Sequence, residues 1–156
     1  MKQWLKGNKI AMNAMTSWQF WAILSALFAA LTAIFAKIGV TEIDSNLATF
    51  VRTIVILVVL ALILSFTGKL EIRSILQASH KGLLFLLFSG MATGASWLCY
   101  FRALSLGEAS KVAPIDKLSV VFVALLGATL LGEQLSALSW FGVALIGVGA
   151  VVVAMG

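Results

Sequence analysis

The sequence predicts an all-α membrane protein, a bundle of about five transmembrane helices. Of its 156 residues, 62% are hydrophobic and only 11% are charged, whereas soluble domains carry about 25% charged residues. The mean hydropathy is +1.08, and the few charges divide the chain into apolar runs of about 20 residues, the length that crosses a bilayer. Because these few charges cannot cover a water-facing exterior, we expect lipid to surround the helices.

The composition also excludes several classes of function. The net charge is +5, but the basic residues occur singly and form no basic face or arm, so we expect no nucleic-acid partner. Cys99 is the single cysteine and lies in an apolar run, which predicts a buried, inert thiol and no internal disulfide. His80 is the single histidine. Without paired metal ligands, a nucleophile motif or a phosphate loop, we expect no enzyme, no metal and no cofactor.

The amino-terminal residues 1–17 are predicted to lie at the membrane interface. Lysines alternate there with apolar side chains, which is typical of a short amphipathic segment: Lys2, Lys6 and Lys9 beside Trp4, Leu5 and Ile10. The apolar run that follows is longer than the core of a secretory signal and lacks a cleavage signal, so it predicts a first span at about 18–38. Trp18 and Trp21 begin this span as predicted interfacial anchors.

Four more spans complete a single predicted domain at residues 18–156. The second, at about 47–67, is interrupted only by Arg52, and the third, at about 83–104, carries Arg102 near its end. The fourth is predicted at about 112–131 and the uncharged fifth at about 138–155. Small residues recur at helical spacing in these spans and predict helix contact faces: Ser25, Ala29, Thr32, Ala33, Ala36, Gly90, Gly94, Gly142, Gly147 and Gly149.

The start of the fourth span is unusual. Pro114 is predicted to fall in its first turn, where a missing amide hydrogen costs little, and Asp116 and Lys117 follow at once. This end of the span is therefore either kinked or open to water. At the other end, Glu133 lies in the turn before the fifth helix, where its carboxylate is predicted to cap that helix.

The distribution of Lys and Arg does not decide the orientation in the membrane. Five spans place the termini on opposite sides, and the side richer in Lys and Arg should be cytoplasmic. Six of these residues lie on the amino-terminal side, Lys2, Lys6, Lys9, Lys69, Arg73 and Lys81, and five on the other, Lys37, Arg52, Arg102, Lys111 and Lys117. A start at Met15 removes the first three and reverses the balance. A nearly equal number of Lys and Arg residues on the two sides is expected of a protein that inserts in both directions. Such a protein can form an antiparallel homodimer, which imitates the inverted repeats of larger transporters.

Five charged residues lie at or just inside span ends on one membrane side: Lys37, Arg52, Arg102, Asp116 and Lys117. A charge that reaches the bilayer centre costs up to about 3 kcal/mol. Sequence neighbours do not face one another on a helix, so Asp116 is expected to pair with Arg52, Arg102 or Lys37 in a polar vestibule with surplus positive charge. Lys37, Lys111 and Lys117 have the alternative role of snorkelling to the headgroups. The deeper Arg52 and Asp116 are predicted to be functional.

Aromatic residues of the third span extend this candidate site. Tyr100 and Phe101 precede Arg102, and Trp97 lies one turn beyond the face of Gly90 and Gly94, a position from which it can line a cavity. The predicted substrate-binding or coupling residues are Arg52, Trp97, Tyr100, Arg102, Asp116 and Lys117.

The second half of the chain contains an ordered set of motifs: Ala103-Leu104, Ala109, Val112-Ala113, the run from Val120 to Leu130, Leu131-Gly132-Glu133 and the stretch from Trp140 to Ile146. In this order, the motifs resemble the EamA-type domain of the drug/metabolite transporter superfamily, in its single-domain, five-helix bacterial form. The resemblance extends more loosely over the first three spans. Many relatives open the run before Leu-Gly-Glu with a proline, where this chain has Val120.

The resemblance implies a secondary transporter of a small-molecule substrate, embedded in the lipid of the cell inner membrane as a multi-pass homodimer. Asp116 is the candidate for proton coupling, and Arg52 and Arg102 are candidate anion contacts. A small multidrug exporter is one alternative, although such an exporter requires a carboxylate in the first span and the run from Trp18 to Ala36 has none. A lipid-linked sugar flippase is a second, and a membrane subunit that does not transport is a third.

Overall fold

A computed structural model describes residues 17–156 of the chain. These residues form helices and connections, with no strand among them. Five stretches of this region are long and apolar enough to cross a membrane, which confirms the predicted fold class. The interfacial segment predicted at residues 1–17 lies outside the described residues, apart from Ser17.

Four of the five stretches are continuous helices and one is composite. The helices are α1 (Trp18–Glu42), α2 (Ser45–Phe66), the short α3 (Ile72–Gln77), α4 (His80–Leu106), α5 (Ala109–Asp116), α6 (Ser119–Leu126) and α7 (Ala137–Met155). A π-helical segment, Gly127–Leu131, follows α6, and together with α5 and α6 it makes the fourth stretch, Ala109–Leu131.

Short polar side chains start three of the helices. The Asp44 carboxylate accepts hydrogen bonds from the backbone N–H groups of Asn46 and Leu47 at the start of α2. Ser79 and Ser136 accept in the same way at the starts of α4 and α7. Such caps satisfy amide groups that have no partner within the helix. The cap of α7 is therefore Ser136, and the prediction that Glu133 serves there is wrong.

The fourth stretch is interrupted near its first charged residues. Pro114 is the sixth residue of α5 rather than part of its first turn, because the helix begins at Ala109. The backbone then tightens, and Lys117 and Leu118 donate to the carbonyl oxygens of Pro114 and Ile115, three residues back. Proline removes a helical hydrogen bond and crowds the preceding turn. The helical hydrogen bonding is therefore interrupted just after Pro114, and an opening of this end onto water stays a prediction.

The Leu-Gly-Glu sequence ends the π-helical segment. Gly132 has φ +69°, a left-handed conformation that costs little only for glycine. The N–H groups of Gly132 and Glu133 both donate to the carbonyl oxygen of Gly127. A methyl group on Gly127 would lie 2.7 Å from Oε2 of Glu133. The carboxylate therefore folds back over this turn, and its structural role is to close the fourth stretch.

The chain divides into two compact units, Met1–Phe35 and Ala36–Gly156. In the described part of the first unit, Trp18 and Trp21 are exposed in the first turn of α1, and the ring of Trp21 packs edge-to-face on Phe20 with centroids 5.5 Å apart. Their role as interfacial anchors stays a prediction.

The second unit has a small core at the end of the bundle where α1 ends and α2 begins. The buried residues Ala36, Val40, Phe101 and Leu104 form it. Ala48, Tyr100, Ala109 and Val112 pack around them, so α2, α4 and α5 meet the end of α1 there. Elsewhere in this unit most large apolar side chains are exposed, as expected of helices whose remaining surface faces lipid or another protein.

One glycine of the predicted contact faces makes a close helix contact. A methyl group on Gly147 would lie 3.2 Å from Val121, so α6 and α7 approach closely at this point. Gly90, Gly94, Gly142 and Gly149 have no such neighbour within the described chain. The prediction of helix contact at small residues is therefore confirmed at Gly147 and wrong, within one chain, for these four.

Candidate functional site

Polar side chains from α2, α4 and α5 lie at a similar depth near the small core. Arg52 and Asp116 each lie seven residues after the first residue of their helices, and Tyr100 lies six residues before the end of α4. These separations correspond to about 10 Å along a helix. The three side chains therefore lie inside their spans, where charged and polar groups are costly and usually functional.

The guanidinium group of Arg52 lies against aromatic rings of α4. Its Cζ is 4.0 Å from the ring centroid of Trp97 and 5.4 Å from that of Phe101. A cation over an aromatic face is stabilised by the ring quadrupole. However, Nη1 of Arg52 is buried and has no hydrogen-bond partner in the described part of the chain. A buried donor without a partner is costly, so Arg52 is a candidate ligand-binding residue.

Asp116 pairs with its sequence neighbour. Its Oδ2 lies 3.2 Å from Nζ of Lys117, and no ion pair joins it to Arg52, Arg102 or Lys37 among residues 17–156. The expectation of a pair across the bundle is therefore wrong. It assumed a regular helix, whereas α5 ends at Asp116 and Lys117 is its C-cap, and the long side chain of Lys117 reaches back to the carboxylate.

Tyr100 lies within electrostatic range of both charged groups. It interacts electrostatically with Arg52 and with Asp116. On a helix with about 100° per residue, it lies between the side of α4 that carries Trp97 and Phe101 and the side that carries Ser96 and Ala103. Tyr100 therefore lies between the rings that Arg52 contacts and a neighbouring cavity that it lines.

This cavity has a volume of about 410 Å³ and lies between α4, α5 and the end of α7. Its lining is mostly apolar, with hydroxyl and charged groups from Ser96, Tyr100, Lys111 and Asp116, and the remaining residues are Cys99, Ala103, Val112, Ile115 and Ala154. Cys99 is exposed. The prediction of a buried thiol is wrong because α4 turns this residue toward the cavity instead of into a neighbouring helix.

Arg102 is separate from the other predicted site residues. It follows Trp97 by five residues, which places it about 140° away around α4. There it lines a second depression of about 340 Å³, together with Ser105 and the connection from Val40 to Ser45. The single vestibule expected from the sequence is therefore divided in two by α4. Arg52, Trp97, Tyr100, Asp116 and Lys117 lie on or beside one side, and Arg102 lies on the other.

Lys37 does not extend toward the headgroups. Its Nζ donates to the carbonyl oxygens of Leu104 and Gly107, both at 2.7 Å. These carbonyls belong to the end of α4, where the last turn of a helix has no internal donors. The snorkelling alternative for Lys37 is wrong, and the residue holds the end of α4.

Several residues of the site lie outside the predicted set, among them Lys111, Cys99 and Phe101. Lys111 lines the cavity because α5 begins at Ala109, whereas hydropathy places it in the preceding turn. Helical spacing in the sequence could have identified Cys99 and Phe101, because they lie one helical turn from Ser96 and Trp97, respectively. No group of three His, Cys, Asp or Glu side chains that could hold a metal occurs among residues 17–156.

Comparisons with known proteins match nearly the whole chain. The sequence profile of the EamA-like transporter family matches residues 16–155. A protein of Sinorhizobium sp named "Uncharacterized transporter in cobO 3'region" is 56% identical over 139 residues, which are 89% of this chain and 97% of that protein. No solved structure matches. The profile match includes the second depression and the cavity beside Tyr100.

Proposed function

Because the chain belongs to the EamA-like transporter family, we propose that it is a secondary transporter that moves a small metabolite across the cell inner membrane. Family membership, the name of the 56% identical relative and five apolar helices support a multi-pass membrane transporter. The finer proposal rests on the side chains within the spans.

The observation that carries the proposal is the interrupted fourth stretch beside the cavity. Discontinuous helices within the membrane provide backbone groups and charges for substrates and coupling ions in secondary transporters. Here the interruption follows Pro114, the Asp116–Lys117 pair lies at the break, and Asp116 lines the cavity. A membrane subunit without transport activity has no need of this break.

We propose that two copies of the chain form the transporter. The side chains of Lys117 and Asp116 are 54% and 37% exposed in one chain, although they lie within a stretch that is long enough to span the membrane. Direct contact with lipid tails is unfavourable for such groups, and a second copy shields them. The balance of Lys and Arg supports an antiparallel pair. Reporter fusions at Gly156 test the antiparallel arrangement. A signal from one membrane side only excludes insertion in both directions and therefore excludes an antiparallel pair.

Proton coupling through Asp116 is tested in proteoliposomes. The change Asp116→Asn removes the titratable carboxylate while keeping its size, so we expect proton-driven uptake to be lost. Glu108→Gln is the matched control, because Glu108 is exposed at the same bundle end and makes no side-chain cap. Unchanged uptake in Asp116→Asn removes this carboxylate from the mechanism.

The alternatives give different results in the same preparation. A thermal-shift screen of the purified protein against a metabolite library should find a ligand that raises stability by roughly RT ln(1 + [L]/Kd). If the protein is a subunit that does not transport, no solute in the library should raise its thermal stability. A lipid-linked sugar flippase transfers a lipid headgroup between leaflets of the vesicle, and a multidrug exporter prefers cationic solutes.

A further inference from the structure

We propose that the cavity between α4, α5 and α7 binds an amphipathic organic anion, with its acidic head at Lys111 and its apolar body against the cavity wall. This inference rests on the proposed transport function and names the class of substrate.

The size and lining of the cavity indicate a ligand with a substantial apolar body. Its volume of about 410 Å³ lies within the range of about 300–1,000 Å³ typical of small-molecule sites. Cys99, Ala103, Val112, Ile115 and Ala154 contribute side chains without charge to the wall. A strongly hydrated ion would leave this surface without favourable contacts, whereas an apolar body gains from leaving water.

The charges around the cavity favour an anionic head. Among the described residues, Asp116 is the one carboxylate that lines the cavity, and the ammonium group of Lys117 lies 3.2 Å from it. Lys111 lines the same cavity, and its ammonium group makes no hydrogen bond or ion pair within residues 17–156. Arg52 adds positive charge within electrostatic range of Tyr100, which lines the cavity. A cationic ligand would have to compete with Lys117 for Asp116, whereas an anion can pair with Lys111 without displacing any group.

The positions of the lining residues give the ligand a direction. Lys111 is the third residue of α5 and lies close to the bundle end, whereas Ser96 lies ten residues before the end of α4, about 15 Å along the helix. The acidic head therefore lies near the membrane surface and the apolar body points toward the bilayer interior. The hydroxyl groups of Ser96 and Tyr100 offer neutral hydrogen bonds along this path.

Cys99 provides a direct measurement, because it is the single cysteine of the chain and lines the cavity. The full chain is reconstituted in phosphatidylcholine vesicles and alkylated with N-ethylmaleimide. Three probes share one body and differ in the head: 3-phenylpropionate, 3-phenylpropylamine and 3-phenylpropanol. We expect 3-phenylpropionate to slow alkylation at concentrations at least tenfold lower than the other two.

Variants locate the head of the ligand. Lys111→Gln should raise the concentration of 3-phenylpropionate needed for protection at least tenfold, and Lys111→Arg should retain protection. Lys69→Gln is the control, since this lysine lies on the connection after α2 and outside the cavity. Alkylation without any probe should proceed at the same rate in all of these proteins, which shows that the variants are folded alike.

The outcomes separate this inference from the proposed function. Equal protection by the three probes, or best protection by the amine, overturns the anion assignment, even if vesicles still take up a solute. Slower alkylation on adding phosphatidylglycerol alone assigns the cavity to an anionic lipid and overturns a solute substrate. If vesicles take up no solute but 3-phenylpropionate still slows alkylation of Cys99, the proposed transport function is overturned and the proposed binding site is retained.

Discussion

Lys37 donates a hydrogen bond of 2.7 Å to the carbonyl oxygen of Leu104, a residue 67 positions away in the sequence. The same ammonium group donates to Gly107, also at 2.7 Å. Carbonyl groups at the end of a helix lack internal donors and carry the negative end of the helix dipole. One lysine therefore satisfies two acceptors beside the buried side chains of Val40 and Phe101, and it links the last turns of α1 to the end of α4.

Replacing Lys37 should destabilise the protein. Lys37→Met keeps the apolar stem but leaves both carbonyl groups without their donor, and each lost hydrogen bond to a charged group costs about 1.5–3 kcal/mol. We expect a lower free energy of unfolding in detergent, measured by SDS titration. Lys69→Met is the matched control and should change it little, because the exposed Lys69 side chain after α2 makes no hydrogen bond or ion pair within residues 17–156. Equal stability of the two variants contradicts a capping role for Lys37.

The left-handed turn at Gly132 should be sensitive to any side chain with a Cβ. Gly132 has φ +69°, and a residue other than glycine in this conformation costs about 1–2 kcal/mol. Gly132→Ala should lower the free energy of unfolding by this amount, and Gly132→Asn by less, since asparagine tolerates the conformation. Gly39→Ala serves as the control, because Gly39 is inside α1 with open space around it, and alanine favours a helix. A similar loss in both alanine variants argues against the turn as the cause.

The sequence predicts the five membrane-spanning stretches because hydropathy depends on composition and length alone. It predicts the ends less well. Ser110 and Lys111 are polar, so the fourth span is expected to begin at about residue 112, whereas α5 begins at Ala109. This difference of three residues accounts for the omission of Lys111 from the candidate site and for the misplaced Pro114.

The contacts of the charged residues depend on the rotation and regularity of helices, which hydropathy does not report. Arg102 could have been separated from Trp97 by helical geometry alone, since five residues correspond to about 140°. The Asp116–Lys117 pair could not have been predicted in this way. It depends on a break with hydrogen bonds to residues three positions back, and such a break is a local backbone rearrangement.

Close packing at Gly147 should be reversible by a compensating change. A valine at this position places its Cβ 3.2 Å from Val121 on α6 and adds two methyl groups, and overpacking costs about 1–3 kcal/mol. We expect Gly147→Val to lower thermal stability and Val121→Ala in the same chain to restore part of it. Gly149→Val controls for β-branching, since Gly149 has open space around it. An absence of rescue in the double variant means that the two residues do not determine this approach.

Arg52 should matter more for transport than for stability. Arg52→Met removes the interaction with Trp97, worth about 0.5–2 kcal/mol, but also removes a buried donor without a partner, whose cost is about 1–3 kcal/mol. Because these effects oppose each other, we expect the free energy of unfolding to change by less than about 1 kcal/mol while uptake in proteoliposomes is lost. Arg73→Met, at an exposed position of α3, controls for the loss of positive charge and should leave both quantities unchanged. A strongly destabilised Arg52→Met that still transports would show that the guanidinium serves packing alone.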